Sequence, residues 1–277
     1  MTRRAAPSDC INRRSDTPAV NESRDLHADA YPLRLIGTGV SFVVFGLGGL
    51  LLGLVLIPLA SLMPGGRESS KRRARALIQG AFRFFIGFMR TVRVLTYEFH
   101  GIERLGRRGQ LILANHPSLI DVVFLLAVTP GAQCIVKEAM RRNFFTRAAV
   151  RAAGYISNDP TEEMVLKAAA ELERGECLVT FPEGTRTRPG QAMVLQKGAA
   201  NIAVRGAGSL TPVRIRVAPT TLTKAEPWYR IPARRPHWRI RVGPDIDLGP
   251  FRSRDSVPLG TRALNDELAR VFGADAD

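Results

Sequence analysis

The most apolar stretch of the chain runs from Leu35 to Met63, dense in Leu, Val, Phe and Ile, and no residue from Leu35 to Gly66 is charged. About 20 apolar residues suffice to cross a bilayer as a helix. The pattern therefore predicts a transmembrane or re-entrant helix over 35–66, too long and too far from residue 1 for a cleaved signal peptide. After residue 95 short β-branched runs alternate with longer helical stretches. Strands are expected at Thr96 to Gly101, Leu111 to Asn115, Gln133 to Val136, Tyr155 to Ser157, Cys177 to Phe181, Thr211 to Val217 and Trp238 to Val242. Helices are expected near 118–128, 138–152, 161–174, 196–206 and 260–272. Such alternation predicts an α/β sheet with helices packed on it, one domain over 96–277, and residues 1–34 are expected to be disordered.

Charge refines the segment between. The chain carries 40 Lys and Arg against 25 Asp and Glu, net +15, which suits either nucleic acid or an anionic membrane. Position separates the two: residues 67–110 hold eleven basic residues against three acids, directly after the apolar run. A basic segment beside a membrane helix fits anionic headgroups and not nucleic acid. Arg67, Lys71, Arg72, Arg73 and Arg75 follow the run, whereas Arg24 and Arg34 before it are diluted by Glu22, Asp25 and Asp29. That asymmetry puts the C-terminal side in the cytoplasm. Residues 67–95 form a basic amphipathic segment, its 77–95 portion read as a helix in the membrane interface, with a buried helix of the soluble domain as the alternative. Gly46, Gly48, Gly49 and Gly53 suit close helix packing, as in Gly49-x-x-x-Gly53, or a re-entrant hairpin, or are merely tolerated in lipid. Cys10, Cys134 and Cys177 lie far apart without C-x-x-C spacing and read as reduced thiols, with no metal site.

Two polar clusters sit after strands, where open α/β sheets place ligands. The first is Asn115-His116-Pro117-Ser118-Leu119-Ile120-Asp121. A neutral imidazole takes a proton from an alcohol, and a carboxylate on its other nitrogen fixes the tautomer. On one continuous helix His116 and Asp121 would point about 140° apart. Pro117, however, biases His116 out of helical geometry, and Ser118 suits an N-cap, so Asp121 can point back from a first turn. The plain alternative is a loop histidine and a first-turn acid favoured by the helix dipole. The second cluster is Phe181-Pro182-Glu183-Gly184-Thr185-Arg186. Its glycine permits close approach and its arginine offers a fork of donors to phosphate oxygens; a solvated turn explains the same residues. Glu183 can buttress Arg186 or a backbone amide.

Asn-His-x4-Asp followed some sixty residues later by Phe-Pro-Glu-Gly-Thr-Arg resembles the glycerolipid acyltransferases, specifically the 1-acylglycerol-3-phosphate acyltransferases. The resemblance covers roughly 95–250, with echoes at Val136-Lys137-Glu138, Gln196-Lys197-Gly198-Ala199 and Leu210-Thr211-Pro212-Val213. It implies a glycerolipid-acyltransferase-like sheet. His116 would be the general base on the acceptor hydroxyl and Asp121 its orienting carboxylate. Glu183, Gly184, Thr185, Arg186 and Lys137 would hold the glycerol phosphate, and Pro212 would shape a substrate pocket. The donor would be an acyl-carrier-protein or coenzyme A thioester, with no bound cofactor. A lysophospholipid in the membrane would be the acceptor, and the bacterial inner membrane, cytoplasmic face, the location. Direct transfer is implied, and no G-x-S-x-G offers a serine nucleophile. H-E-x-x-H is likewise missing, which argues against a metal-dependent hydrolase. One departure stands out: where many relatives read Gly-x-Ile-x-x-Asp-Arg, this chain has Gly154-Tyr155-Ile156-Ser157-Asn158-Asp159 and no arginine after it. Together with Leu222-Thr223-Lys224 through Trp228-Tyr229-Arg230, which resembles bacterial subgroups of specialised lipid or aryl-polyene pathways, it leaves open another lysolipid or lipid alcohol as acceptor. A non-catalytic basic membrane binder is the remaining alternative.

Overall fold

The computed structural model describes residues 31–159, 161–188, 191 and 193–273; the expectation for 1–34 and the thiol of Cys10 fall almost wholly outside them. Seven strands form one sheet: β1 (Thr96–His100), β2 (Gln110–Ala114), β3 (Gln133–Val136), β4 (Ile156–Ser157), β5 (Leu178–Thr180), β6 (Ser209–Ala218) and β7 (His237–Val242), in the order β1-β7-β6-β2-β5-β3-β4. All neighbours are parallel except β6 and β7. Each expected strand is present. Alternation along β2 explains the layering, since side chains on a strand point to opposite faces in turn. Leu111 and Leu113 enter one core, with Leu172, Ile202 and Leu264, while Ile112 and Ala114 enter the other, with Phe124, Leu125 and Ile78. The first core lies under α7 (Glu162–Glu173), α8 (Lys197–Gly206) and α10 (Val257–Gly273), and the second under α3 (Gly66–Thr91) and α4 (Asp121–Val128).

The stretch expected as one helix over 138–152 is two, α5 (Glu138–Arg142) and α6 (Arg147–Ala152). Asn143 divides them: its side-chain oxygen accepts the Phe145 N–H at 2.9 Å, and such local bonds compete with helix continuation. A short α9 (Gly249–Arg252) was not expected.

The apolar helix is continuous over Tyr31–Ser61, built from α1 (Tyr31–Leu51), a π-turn at Leu52–Leu56 and α2 (Ile57–Ser61). It lies along the domain instead of standing off it. Near one end Arg34 donates to the carbonyls of Pro232 and Ala233. Further along, a Cβ on Gly49 would come within 2.7 Å of the Phe145 carbonyl oxygen, and one on Gly53 within 2.9 Å of the Ala148 methyl. The Gly-x-x-x-Gly pair therefore serves close packing, and what it packs against is the α5–α6 region. From Arg34 to Gly53 the contact runs about 28 Å at 1.5 Å per residue.

The segment after it is the single helix α3, packed on α4 by one face, with Ala74, Arg75, Ile78, Phe85, Ile86 and Met89 buried. Of the two readings of 77–95, the packed helix describes this face, while Arg72, Arg83, Phe84 and Arg90 remain exposed. Two cations expected at headgroups are structural. Arg75 is buried, donating to the Ala153 carbonyl at 2.9 Å and pairing with Glu176. Arg73 donates to the carbonyls of Ala60, Met63 and Pro64, closing the turn that follows α2.

Candidate active site

β2 ends at Ala114, and the chain turns through Asn115–Ile120 before α4 starts at Asp121. Asn115 fixes the exit: its amide donates to the Ile215 carbonyl at 2.8 Å and accepts the Ile215 N–H at 2.7 Å, extending the β2–β6 pairing through a side chain. His116 then faces Asp121, Nδ1 to Oδ2 at 2.9 Å. Ser118 is not the expected N-cap; Ile120 holds that position. The direction of the bond is reversed, with the Ser118 N–H donating to Asp121 Oδ2 at 2.6 Å and its hydroxyl donating to the Thr221 carbonyl at 2.9 Å. Asp121 thus folds its own approach loop around itself.

The second oxygen of Asp121 accepts the indole N–H of Trp238, on β7, at 3.1 Å. Asp121 is 0% exposed. Burial pushes its carboxyl up from the ordinary value, opposed by His116, the Ser118 N–H and the Trp238 N–H. With Nδ1 committed to Asp121, Nε2 is the ring nitrogen left for an incoming hydroxyl. Phe181 stacks on the imidazole, centroids 4.2 Å apart and planes at 26°.

The two motif clusters meet through Glu183. Its carboxylate is buried and accepts the His116 backbone N–H at 2.7 Å and the Thr187 hydroxyl. Of the two expectations for Glu183, holding a ligand and buttressing Arg186 or a backbone amide, the structure shows the second, at the His116 amide, with the carboxylate a clamp between loops. Gly184 takes φ +66°, where glycine is at ease, to close this turn. Arg186 donates through Nη1 to the carbonyls of Leu222 at 2.8 Å and Thr223 at 3.0 Å, and exposed Lys137 reaches Thr185 Oγ1 at 3.4 Å.

His116, Lys137, Gly184, Thr185 and Arg186 line one cavity of about 1090 Å³, and most of the rest of its wall is apolar. Phe82, Phe85 and Met89 of α3 form one side, and Phe45, Leu52 and Leu56 of the apolar helix another. A cation-edged mouth with a proton acceptor at its rim and a long hydrocarbon wall suits a molecule with a charged head and an acyl tail. Pro212 has no part in the lining: it lies within β6, opposite Leu113. Cys134 and Cys177 are free and buried, and burial pushes both thiols up to about 12, unsuited to nucleophilic duty. Among the described residues no group of His, Cys, Asp and Glu has a metal-binding arrangement.

Sequence reasoning missed Trp238 and Phe181 as members of the site. A buried indole needs a partner for its N–H, which was the available signal for Trp238; its distance from Asp121 along the chain hid the partner.

The acyltransferase family profile matches residues 96–216. Among curated proteins, the chain is 28% identical over 149 residues to a 1-acyl-sn-glycerol-3-phosphate acyltransferase of Pseudomonas aeruginosa, covering 52% of this chain and 58% of that one. It is 35% identical over 110 residues to the enzyme of that name from Helicobacter pylori, covering 36% and 46%. The chain thus spans about half the length of these relatives. The crystal structure of the 1-acyl-sn-glycerophosphate acyltransferase PlsC from Thermotoga maritima superposes with a TM-score of 0.66 at 18% identity, over 88% of this chain and 98% of that one, and shows the same fold.

Proposed function

We propose, from the match of residues 96–216 to the acyltransferase family profile, that the protein transfers a fatty acyl group from a thioester to the hydroxyl of 1-acylglycerol-3-phosphate, giving phosphatidic acid. The observation that carries this reading is the His116–Asp121 pair at the mouth of a long apolar cavity edged by Arg186 and Lys137. His116 Nε2 takes the proton of the acceptor hydroxyl as that oxygen attacks the thioester carbonyl. The tetrahedral intermediate collapses by breaking the carbon–sulfur bond, and the imidazolium returns the proton to the leaving thiolate. Asp121 holds the tautomer and stabilises the imidazolium formed between the two steps. Arg186 and Lys137 bind the acceptor phosphate and the apolar walls hold acyl chain. The thioester is carried by acyl-carrier protein or coenzyme A.

Attachment follows from how the apolar helix lies. A helix held against the domain for about 28 Å cannot cross a hydrocarbon layer of about 30 Å without drawing the domain in with it. The exposed Leu33, Ile36, Leu47, Leu54 and Leu59 side chains therefore enter one leaflet, with α1 and α2 in the membrane plane on the cytoplasmic face of the bacterial inner membrane.

The test is a panel of lysolipids and lipid alcohols assayed with both thioester carriers and read by mass spectrometry, with His116→Ala as control. Phosphatidic acid formed by wild type and lost in the variant is the expected result; no transfer to any acceptor overturns the proposal. A second reading, transfer to a different lysolipid or lipid alcohol, is favoured by the absence of an arginine after Asn158 and Asp159, where the motif it resembles has one. Product from those acceptors alone would establish it.

A further inference from the structure

The long connection between β6 and β7 takes no part in the proton transfer, yet it is tied to both ends of the site. Its start receives Ser118 Oγ at the Thr221 carbonyl and Arg186 at the Leu222 and Thr223 carbonyls. Its far end receives Arg34 of α1 at Pro232 and Ala233. Between these anchors Trp228 and Tyr229 project with 45% and 59% of their surface exposed. Trp228 is seated on the apolar helix: its ring centroid is 5.6 Å from that of Phe42, and Gly39 lies beneath it. The two aromatic rings therefore continue the exposed apolar strip formed by Ile36, Val40 and Val43.

We propose that residues 224–234 are a second membrane-contacting element, seated in the headgroup layer of an anionic bilayer beside the apolar helix. This rests on the in-plane reading of α1. Tryptophan and tyrosine are the residues whose rings sit at the membrane–water boundary. Lys224, Arg230 and Arg234 are exposed around them, against the single acid Glu226, which is turned inward to accept the Thr223 N–H and hydroxyl. Aromatic rings continuous with a lipid-facing strip, ringed by cations, match phospholipid headgroups above acyl chains. Because the same loop holds Arg186, contact with the membrane surface would set the height of the phosphate site above the bilayer.

The chain has two tryptophans, and Trp238 is buried, so Trp228 is the reporter. Full-length protein is placed in nanodiscs containing phosphatidylglycerol and phosphatidylcholine brominated at shallow or deep acyl positions. Trp228 emission should be quenched more by shallow than by deep bromines, and Trp228→Phe should remove the quenching. Phosphatidylglycerol should strengthen it relative to phosphatidylcholine alone, and Lys224→Gln/Arg230→Gln/Arg234→Gln should erase that difference. Persistence of the difference in the triple variant overturns the role of the cations. A Leu54→Trp probe in the Trp228→Phe background reports the apolar helix separately. Quenching of that probe with Trp228 unquenched and open to iodide overturns the proposal and leaves the in-plane helix standing. If neither is quenched, both readings fall. Trp228 shielded from iodide yet untouched by bromolipid overturns the proposal in favour of a protein contact.

Discussion

Replacing Trp238 by Phe removes the one donor to Asp121 Oδ1 while keeping an aromatic ring against Phe124, whose centroid lies 5.5 Å from the indole. Both partners are buried. A hydrogen bond to a charged group contributes about 1.5–3 kcal/mol, and that stabilisation of the carboxylate is lost with the indole. The sign follows from the ionised form being the one the indole stabilises. Burial already raises the Asp121 carboxyl, and loss of an opposing donor raises it further. Transfer needs neutral His116 facing ionised Asp121. The acidic limb of the kcat/KM profile should accordingly move to higher pH. Stability will fall too, since the smaller ring leaves a void, so melting temperature alone cannot assign the role. Phe124→Leu disturbs the same packing without touching the carboxylate and should leave the acidic limb in place. If Trp238→Phe lowers the melting temperature as Phe124→Leu does while its pH profile overlays wild type, the indole is a packing group and the reasoning is refuted.

His116→Ala should lower single-turnover transfer at least about 100-fold, with melting temperature and membrane association close to wild type; a folded variant of undiminished rate removes His116 from the chemistry. Arg186→Lys keeps a charge but loses the planar guanidinium whose Nη1 donates to both the Leu222 and Thr223 carbonyls while its other N–H groups remain for phosphate. Its KM for a phosphorylated acceptor should rise about 10-fold or more, the lower end of a charged contact, and far more than the KM for the thioester, as steady-state titration of each substrate will show. Gly49→Leu has no room, its Cβ falling 2.7 Å from a carbonyl oxygen, and overpacking of this kind costs about 1–3 kcal/mol. Because the displaced helix walls the cavity, turnover of long-chain thioesters should fall more than that of short-chain ones across a donor series, and an equal fall would detach the helix from the acyl site.

Short apolar runs made every strand legible, β4 included. Strand order was not, because nothing local distinguishes β6, which pairs parallel to β2 and antiparallel to β7. The helix break at Asn143 is a side-chain bond that no apolar periodicity records. In the site, residue type was legible and direction was not. The spacing of His116 and Asp121 allowed a meeting, and the structure supplies it through an Asp121 side chain that bonds back to Ser118. Glu183 and Arg75 show the same gap: residue type leaves open whether Glu183 holds a ligand or buttresses a backbone amide and whether Arg75 meets a membrane, and each is buried and paired inside the protein. Their partners, His116 and Glu176, lie 67 and 101 residues away in sequence, beyond any local rule.

The apolar helix carries two sequences on its two sides, which hydropathy alone does not separate. Facing the domain are Arg34, Gly37, Thr38, Ser41 and Gly53, small or polar residues that a lipid span has no need to gather on one side. Thr38 and Ser41 bond back to the carbonyls of Arg34 and Gly37, so their hydroxyls enter the contact already satisfied. Facing outward are Leu33, Ile36, Val40, Leu47, Leu54 and Leu59. Averaged along the helix, the two sides merge into one apolar run of a length sufficient to span. The small side lets the backbone approach the α5–α6 region, and that approach brings Phe45 and Leu52 into the wall of the cavity that begins at His116. Attachment to lipid and formation of the hydrocarbon pocket are thus built from one helix, so a substitution that loosens its contact with the domain must alter the pocket even where it leaves the outward face, and with it the affinity for lipid, unchanged.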